Sequence, residues 1–173
     1  PPPALEGMVP LTPSNSLYVE FFTACGANAT PMSFSEVYNA LQLNTLDGQE
    51  NPVDVPATNN FYEVQKYISA TNHIADAWIV GMNTNKLNGL TENQQNALHQ
   101  AAEECQQWYV DYQAEKDGEM LKLLTDNGME YNEVPEEGFQ EFVSVSQELY
   151  PKFKEMVQND ELFDATVAFC GKA

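Results

Sequence analysis

Side chains that could bind a ligand are concentrated in one short segment, Asp47-Gly48-Gln49-Glu50-Asn51-Pro52. Carboxylates accept hydrogen bonds, whereas amides both donate and accept them, so the segment offers four strong hydrogen-bonding groups. Its glycine favours a turn, and its proline prevents a helix from continuing. The pattern therefore predicts a polar loop. That loop is either part of a ligand site or a solvated connection between two helices, and composition alone leaves both open.

The chain has two histidines, His73 and His99. His73 lies where a predicted helix meets a predicted strand, and binding residues often collect on such connections. His99 falls within a long predicted helix, beside polar neighbours, and we expect it on the surface. His73 is therefore the histidine that could belong to a site.

Motifs for other kinds of chemistry are absent from the sequence. It contains no HxxxH, CxxC or calcium-loop pattern, so neither a metal nor a cofactor is predicted. It also lacks a GxSxG nucleophile motif and a glycine-rich phosphate loop. An enzyme is the least favoured class, because only Glu50 and His73 could act in one cleft, and no catalytic residue is predicted. The cysteines Cys25, Cys105 and Cys170 are predicted to be free and buried, although one disulfide remains open.

The charge composition excludes several partners. The chain has 173 residues, with 26 Asp and Glu against 7 Lys and Arg, a formal net charge of −19. All seven cations are lysines. Such a field repels phosphate, which argues against nucleic acid and anionic membrane surfaces as partners. Without arginine, the chain cannot form a bidentate guanidinium–carboxylate clamp. With 43% hydrophobic residues, however, it can build a core.

Turn residues, caps and periodicity divide the N-terminal half into short elements. The predicted elements are an extended proline-rich arm over 1–13, a helix capped by Asn15 or Ser14 and ending at Gly26, an extended segment over 29–32, a helix opened by a capping box of Ser33 and Glu36, a helix from Thr58 or Asn59 to about Asn72, and a largely buried strand over 74–82.

The C-terminal half has the strongest local signal. Thr91 and Gln94 form a capping box, and apolar residues then recur at helical spacing as far as Asn127-Gly128. A helix of about 35 residues would be about 50 Å long, which exceeds the diameter of one small domain. A strand over 129–134 and helices over 136–157 and 161–170 are predicted to follow.

Four motifs, in this order and spacing, resemble the solute-binding proteins of TRAP transporters, the tripartite ATP-independent periplasmic transporters. The motifs are Thr30–Gln42, Asp47–Pro52, Phe61–Tyr67 and Thr71–Ile74. The resemblance covers roughly residues 8 to 160, and it implies an α/β fold: a periplasmic-binding-protein-like lobe with a long helix and a mixed sheet flanked by helices. It implies that residues 1–173 form one unit, equivalent to the C-terminal lobe and long spanning helix of a two-lobe protein whose N-terminal lobe is absent here.

The resemblance also implies a function and a site. The family captures a small organic solute, usually an acid, between two lobes and delivers it to membrane permease subunits, so we expect a periplasmic or cell-surface location. Four positions match family cleft residues. Phe34 would provide an aromatic wall, Glu50 and Asn51 would hydrogen-bond the ligand, and His73 would line the same cleft.

One departure from the family pattern concerns the ligand. Leu11 stands where the family carries an arginine that pairs with the ligand carboxylate. The ligand could then be neutral, be bound through a metal, or be held by a cation from the missing lobe. An alternative function follows as well: a truncated lobe with exposed apolar surface could pair with a separate N-terminal lobe, or with copies of itself, in a structural assembly.

Overall fold

A computed structural model describes residues 5–12, 15–74 and 79–170. In chain order the elements are β1 (Pro10–Thr12), α1 (Ser16–Ala24), β2 (Thr30–Pro31), α2 (Val37–Gln42), β3 (Gly48–Gln49), α3 (Asp54–Thr58), β4 (Tyr67–Ala70), α4 (Thr84–Asn88), α5 (Glu92–Asp126), β5 (Glu130–Glu133), α6 (Glu136–Val157) and α7 (Asp160–Cys170), with short 3-10 turns at Phe34–Glu36 and Phe61–Glu63. The α/β class is as predicted.

The strands form two small sheets, one ordered β2-β1-β3 and the other pairing β4 with β5. Every strand pair among the described residues is parallel, so the mixed sheet that we expected is wrong. The prediction of an extended arm over 1–13 also needs correction, because the end of that segment forms the central strand. There Leu11 pairs with Thr30 on one side and Gln49 on the other.

The first sheet carries one of three core clusters. Leu11 is 4% exposed and packs with the buried residues of α2 and the segments that follow it, namely Val37, Ala40, Leu41, Leu46 and Phe61. Burying this apolar surface holds β1 against α2, since apolar area removed from water is the main stabilising contribution. Leu11 is thus a core residue.

The predicted helix from Thr58 or Asn59 to Asn72 does not form. Asn60 adopts a left-handed backbone conformation with φ of 57°, which stops a helix there. A single 3-10 turn follows, and then β4 pairs with β5 over four residues, with Ile68 opposite Tyr131. The apolar spacing that suggested a helix was therefore overridden by pairing with a strand about sixty residues away in sequence.

Two further local predictions were wrong. Ser33 and Glu36 do not form a capping box: the Ser33 hydroxyl lies 2.9 Å from the Ser35 hydroxyl, and a 3-10 turn precedes α2. The predicted strand over 74–82 is not present in its described part. Residues 75–78 lie outside the described residues, residues 79–82 form no strand, and Ile79 and Val80 are 92% and 97% exposed.

The long helix was predicted correctly. α5 runs for 35 residues, and Thr91 and Gln94 form its capping box. It is anchored near its C-terminal end, where Leu124 is fully buried against α3 and β4 together with Ala57 and Met129. Elsewhere it exposes the large apolar side chains Leu98, Trp108, Tyr109, Val110 and Tyr112. Among the described residues, no helix combines the length and apolarity needed to cross a membrane.

The three cysteines are free, but only Cys25 is buried, so the expectation that all three would be buried holds for one. Burial raises the pKa of the Cys25 thiol to about 11. At pH 8 a thiol-reactive dye should therefore label Cys105 and Cys170 quickly and Cys25 only after unfolding, because the thiolate is the reactive species. Counting labelled thiols with and without urea tests this, and rapid labelling of three thiols in the folded chain would contradict it.

Candidate functional site

The four predicted site residues follow the carboxyl ends of strands. Phe34 lies three residues after β2, Glu50 and Asn51 come directly after β3, and His73 lies three residues after β4. Because β2 and β3 both run parallel to β1, their carboxyl ends lie at the same edge of that sheet. In open α/β sheets, ligands bind outside the carboxyl ends of the strands. Phe34, Glu50 and Asn51 therefore follow strands at the ligand-binding edge of the first sheet, whereas His73 follows a strand of the second sheet.

Glu50 and His73, which are 23 positions apart, are brought together. The distance between Glu50 Oε2 and His73 Nε2 is 3.5 Å, and the two side chains are only 12% and 13% exposed. A carboxylate is rarely this buried unless it has a partner. Among the described residues, the basic group that lies within 4 Å of the Glu50 carboxylate is the His73 imidazole. It carries a positive charge only when it is protonated.

The His73 ring is held on three sides. It lies parallel to the Phe21 ring, with centroids 5.8 Å apart and an interplanar angle of 1°, and it meets Phe22 edge-on at 5.3 Å. The Thr71 hydroxyl lies 2.7 Å from His73 Nδ1. Sequence reasoning did not assign Phe21, Phe22 or Thr71 to the site. Thr71 belongs to the motif Thr71–Ile74, whereas Phe21 and Phe22 lie on α1, outside the four motifs.

Asn51 and Gln49 form a second polar pair beside Glu50. Asn51 donates from Nδ2 to Gln49 Oε1 over 2.6 Å in a partly buried position. Gln49 was not among the predicted site residues, although it belongs to the same polar segment. This bond fixes the Asn51 amide and leaves its remaining hydrogen-bonding capacity for other groups.

Asp47 has a structural role instead. Its Oδ2 accepts a hydrogen bond from the backbone N–H of Val9 over 2.8 Å, and its own N–H donates to the Val9 carbonyl. These bonds tie the approach to β3 to the start of β1. The polar segment 47–52 therefore combines a structural residue with candidate ligand-binding residues.

Phe34 contributes an exposed aromatic surface. Its side chain is 49% exposed, and its ring packs against the buried Phe61 ring with centroids 6.2 Å apart. It lies on the first core cluster. His73 instead packs against Phe21 and Phe22, which belong to a second core cluster with Cys25, Ala27 and Phe142. A ring supported in this way could form one wall of a cleft.

The described part of the chain contains neither a cluster of metal-ligating side chains nor an arginine that could pair with a ligand carboxylate. Groups of three or more His, Cys, Asp or Glu side chains that could hold a metal ion do not occur there. Leu11, at the expected arginine position, is packed inside the core. His99 is exposed, as predicted. The local chemistry is that of hydrogen-bond acceptors and amides beside aromatic rings.

Comparison with known proteins agrees with this geometry. Residues 5–156 match the model of the family described as bacterial extracellular solute-binding protein, family 7. A solute-binding protein of Roseobacter denitrificans is 35% identical over 87% of this chain and 48% of its own length. The sialic acid-binding periplasmic protein SiaP of Vibrio cholerae is 30% identical over 86% of this chain and 45% of its own.

A solved structure extends the agreement to the fold. A TRAP periplasmic solute binding protein of Ralstonia eutropha H16, with bound (S)-2-acetolactate, superposes with a TM-score of 0.87 at 25% identity. The match covers 99% of this chain and 56% of that protein. The chain thus spans about half the length of the relatives that it matches.

Each of these relatives is described as a binding protein, so the comparisons favour neither an enzyme nor a structural assembly. The family match over residues 5–156 exceeds half of the chain, and the superposed structure is itself a TRAP protein. This chain therefore belongs to the solute-binding proteins of TRAP transporters, bacterial extracellular solute-binding protein family 7.

Proposed function

We propose that the chain provides the C-terminal lobe of a two-lobe protein that captures a small organic solute and delivers it to membrane permease subunits. The solute binds in a cleft that Phe34, Glu50, Asn51 and His73 line from this side. Capture and delivery of the solute take place outside the cytoplasm, in the periplasm or at the cell surface. Closure of the two lobes is driven by ligand contacts that exist only when both lobes meet the solute.

One observation carries this proposal: Glu50 and His73 meet within 3.5 Å beyond the carboxyl ends of β3 and β4. The two residues follow strands of separate sheets and belong to separate sequence motifs. Both are largely buried, although burial of a carboxylate is unfavourable unless the group is used or paired. A binding site explains why polar groups are retained at this position.

The residues at the site favour a ligand with hydroxyl groups, because Glu50 can only accept hydrogen bonds while it is ionised. A carboxylate on the same ligand would need a cation at some distance from Glu50. Leu11 does not provide one, and no arginine is present in the chain. We infer that the cation which pairs with an acidic ligand belongs to the opposite lobe.

Exposed apolar side chains on α5 favour a second lobe that covers them. Leu98, Trp108, Tyr109 and Val110 are each between 44% and 59% exposed, and Leu124, which anchors the helix, lies near its C-terminal end. Exposed apolar surface of this kind is typical of interaction sites. The opposite lobe would cover it, in agreement with the half-length coverage of the relatives.

Binding of organic acids tests the proposal. The product of the complete gene should be titrated calorimetrically with sialic acid, (S)-2-acetolactate and further small hydroxy acids, with neutral sugars as the comparison. We expect saturable binding of at least one hydroxy acid. Glu50→Gln should weaken it about tenfold or more, because a hydrogen bond to a charged group contributes about 1.5–3 kcal/mol.

Glu155→Gln is the matched control, since it removes the same charge from an exposed position on α6. Its affinity for the acid should stay within about twofold of the unchanged protein, which corresponds to a surface substitution of about 0.5 kcal/mol or less. Equal losses in both variants would show that overall charge, not the Glu50 position, governs binding. An absence of binding across the whole panel would overturn the proposed function.

A further inference from the structure

Thr71, His73 and Glu50 form a connected row of polar groups. The Thr71 hydroxyl lies 2.7 Å from His73 Nδ1, and His73 Nε2 lies 3.5 Å from Glu50 Oε2. Nε2 is buried, and it makes no hydrogen bond to any residue that the structure describes. A buried polar atom without a partner is unfavourable, so the position of the ring proton matters at this site.

Only one tautomer of neutral His73 suits both neighbours. A neutral imidazole has one nitrogen that donates and one that accepts. If Nδ1 carried the proton, the Nε2 lone pair would face the Glu50 carboxylate, and two acceptors would oppose each other in a buried position. If Nε2 carries the proton, it faces an acceptor, and Nδ1 is free to accept a hydrogen bond. The Thr71 hydroxyl can donate that bond, because a hydroxyl both donates and accepts.

The two phenylalanine rings cannot determine whether nitrogens or carbons of the imidazole face Thr71 and Glu50. Phe21 stacks on the imidazole face and Phe22 meets it edge-on, which together fix the plane of the ring. Rotating the ring by 180° about the Cβ–Cγ bond would keep both contacts, but it would replace the nitrogens by carbons at the positions that face Thr71 and Glu50. Thr71 and Glu50 distinguish the two orientations, and of these two Thr71 is the one within hydrogen-bond distance of the ring.

We propose that Thr71 is a positioning residue of the site: by donating its hydroxyl hydrogen to His73 Nδ1, it places the single proton of the neutral imidazole on Nε2, facing Glu50. The donor then faces the Glu50 carboxylate across 3.5 Å, and both carboxylate oxygens can still accept hydrogen bonds from the ligand. The assignment of the proton rests on geometry alone, whereas its importance for a ligand rests on the proposed function.

Nitrogen-15 NMR of histidine-labelled chain tests the assignment directly. The chain has only two histidines, so a His99→Gln variant assigns both sets of signals. Spectra are recorded at a pH where a titration shows both imidazoles to be neutral. We expect His73 to show a protonated Nε2 and an unprotonated, hydrogen-bonded Nδ1. A proton on Nδ1 in the unchanged chain would overturn the proposal.

Two substitutions separate positioning from packing. Thr71→Val keeps the shape of the side chain and removes the hydroxyl, so the His73 Nδ1 signal should move toward that of a nitrogen without a hydrogen bond. Thr71→Ser restores the hydroxyl and should restore the original signal. The exposed His99 should be unaffected in both variants and serves as the internal reference. An unchanged His73 spectrum in folded Thr71→Val would also overturn the proposal.

The outcome is independent of the ligand. If the tautomer and both variants behave as expected while no acid binds, the proposed function fails and the role of Thr71 in orienting His73 stands. If an acid binds but Nδ1 carries the proton, the role of Thr71 fails alone. Should Thr71→Val not fold, the spectrum of the unchanged chain still decides the tautomer.

Discussion

Leu11→Arg should destabilise the chain by about 3–5 kcal/mol, even though it introduces the residue type that the resemblance to the family led us to expect at this position. Leu11 is 4% exposed and packs against Val37, Leu41 and Phe61 in the first core cluster. A guanidinium there would lose its hydration without gaining a partner, and an uncompensated buried charge is strongly unfavourable. Because domains are stable by only about 5–15 kcal/mol, much of the variant would be unfolded at moderate urea. Urea unfolding followed by circular dichroism measures the change.

Leu43→Arg is the matched control for this experiment. It makes the same chemical change at a side chain that is 71% exposed, so it should alter the free energy of unfolding by about 0.5 kcal/mol or less. Leu11→Ala separates the lost packing from the added charge and should cost about 2–5 kcal/mol. If Leu11→Arg were as stable as the unchanged chain and bound acids more tightly, Leu11 would face the cleft, and its assignment to the core would be wrong.

Leu124→Ala should lower the free energy of unfolding by about 2–5 kcal/mol, as expected for a leucine truncated in a core. Leu124 is fully buried and packs with Ala57 and Met129, and Ile68 and Tyr62 pack around this cluster. It therefore joins the end of α5 to α3 and β4. The rest of α5 is mostly exposed, so few other contacts can compensate for the cavity.

Leu123→Ala provides the comparison on the same turn of α5. Leu123 is 37% exposed, and its truncation should cost about 1 kcal/mol or less, because less apolar area leaves water when the chain folds. Both variants keep helix propensity nearly constant, since alanine is the best helix former. Equal losses would mean that α5 is not anchored through Leu124. The difference in urea midpoint at constant slope gives the result.

Elements with strong local signals were predicted well from the sequence. Asn15 caps α1 by accepting from the N–H of Leu17, and Thr91 and Gln94 cap α5, both as expected from residue type and spacing. These signals work because a cap satisfies backbone groups within a few residues of itself, so the surroundings matter little. α6 and α7 follow periodic apolar patterns in the same way.

Elements that depend on distant partners were predicted poorly. The sequence predicts an arm at β1, because its three residues carry little local signal, yet pairing with β2 and β3 places it at the centre of a sheet. Apolar spacing predicts a helix at β4, but pairing with β5 makes this segment a strand. Strand formation depends on neighbours that are remote in sequence, so short windows do not reveal it.

The candidate site also combines features that local sequence predicts with features that depend on distant segments. The four sequence motifs were sufficient to predict the family, because motifs are local. That Phe34, Glu50, Asn51 and His73 line a ligand cleft stays a prediction. The tertiary structure decided that Glu50 and His73 meet, that Thr71, Phe21 and Phe22 hold the imidazole, and that Leu11 lies in the core. Apart from the Thr71–His73 contact, which is local, these contacts join segments that are distant in the sequence, and strand pairing and core packing bring them together.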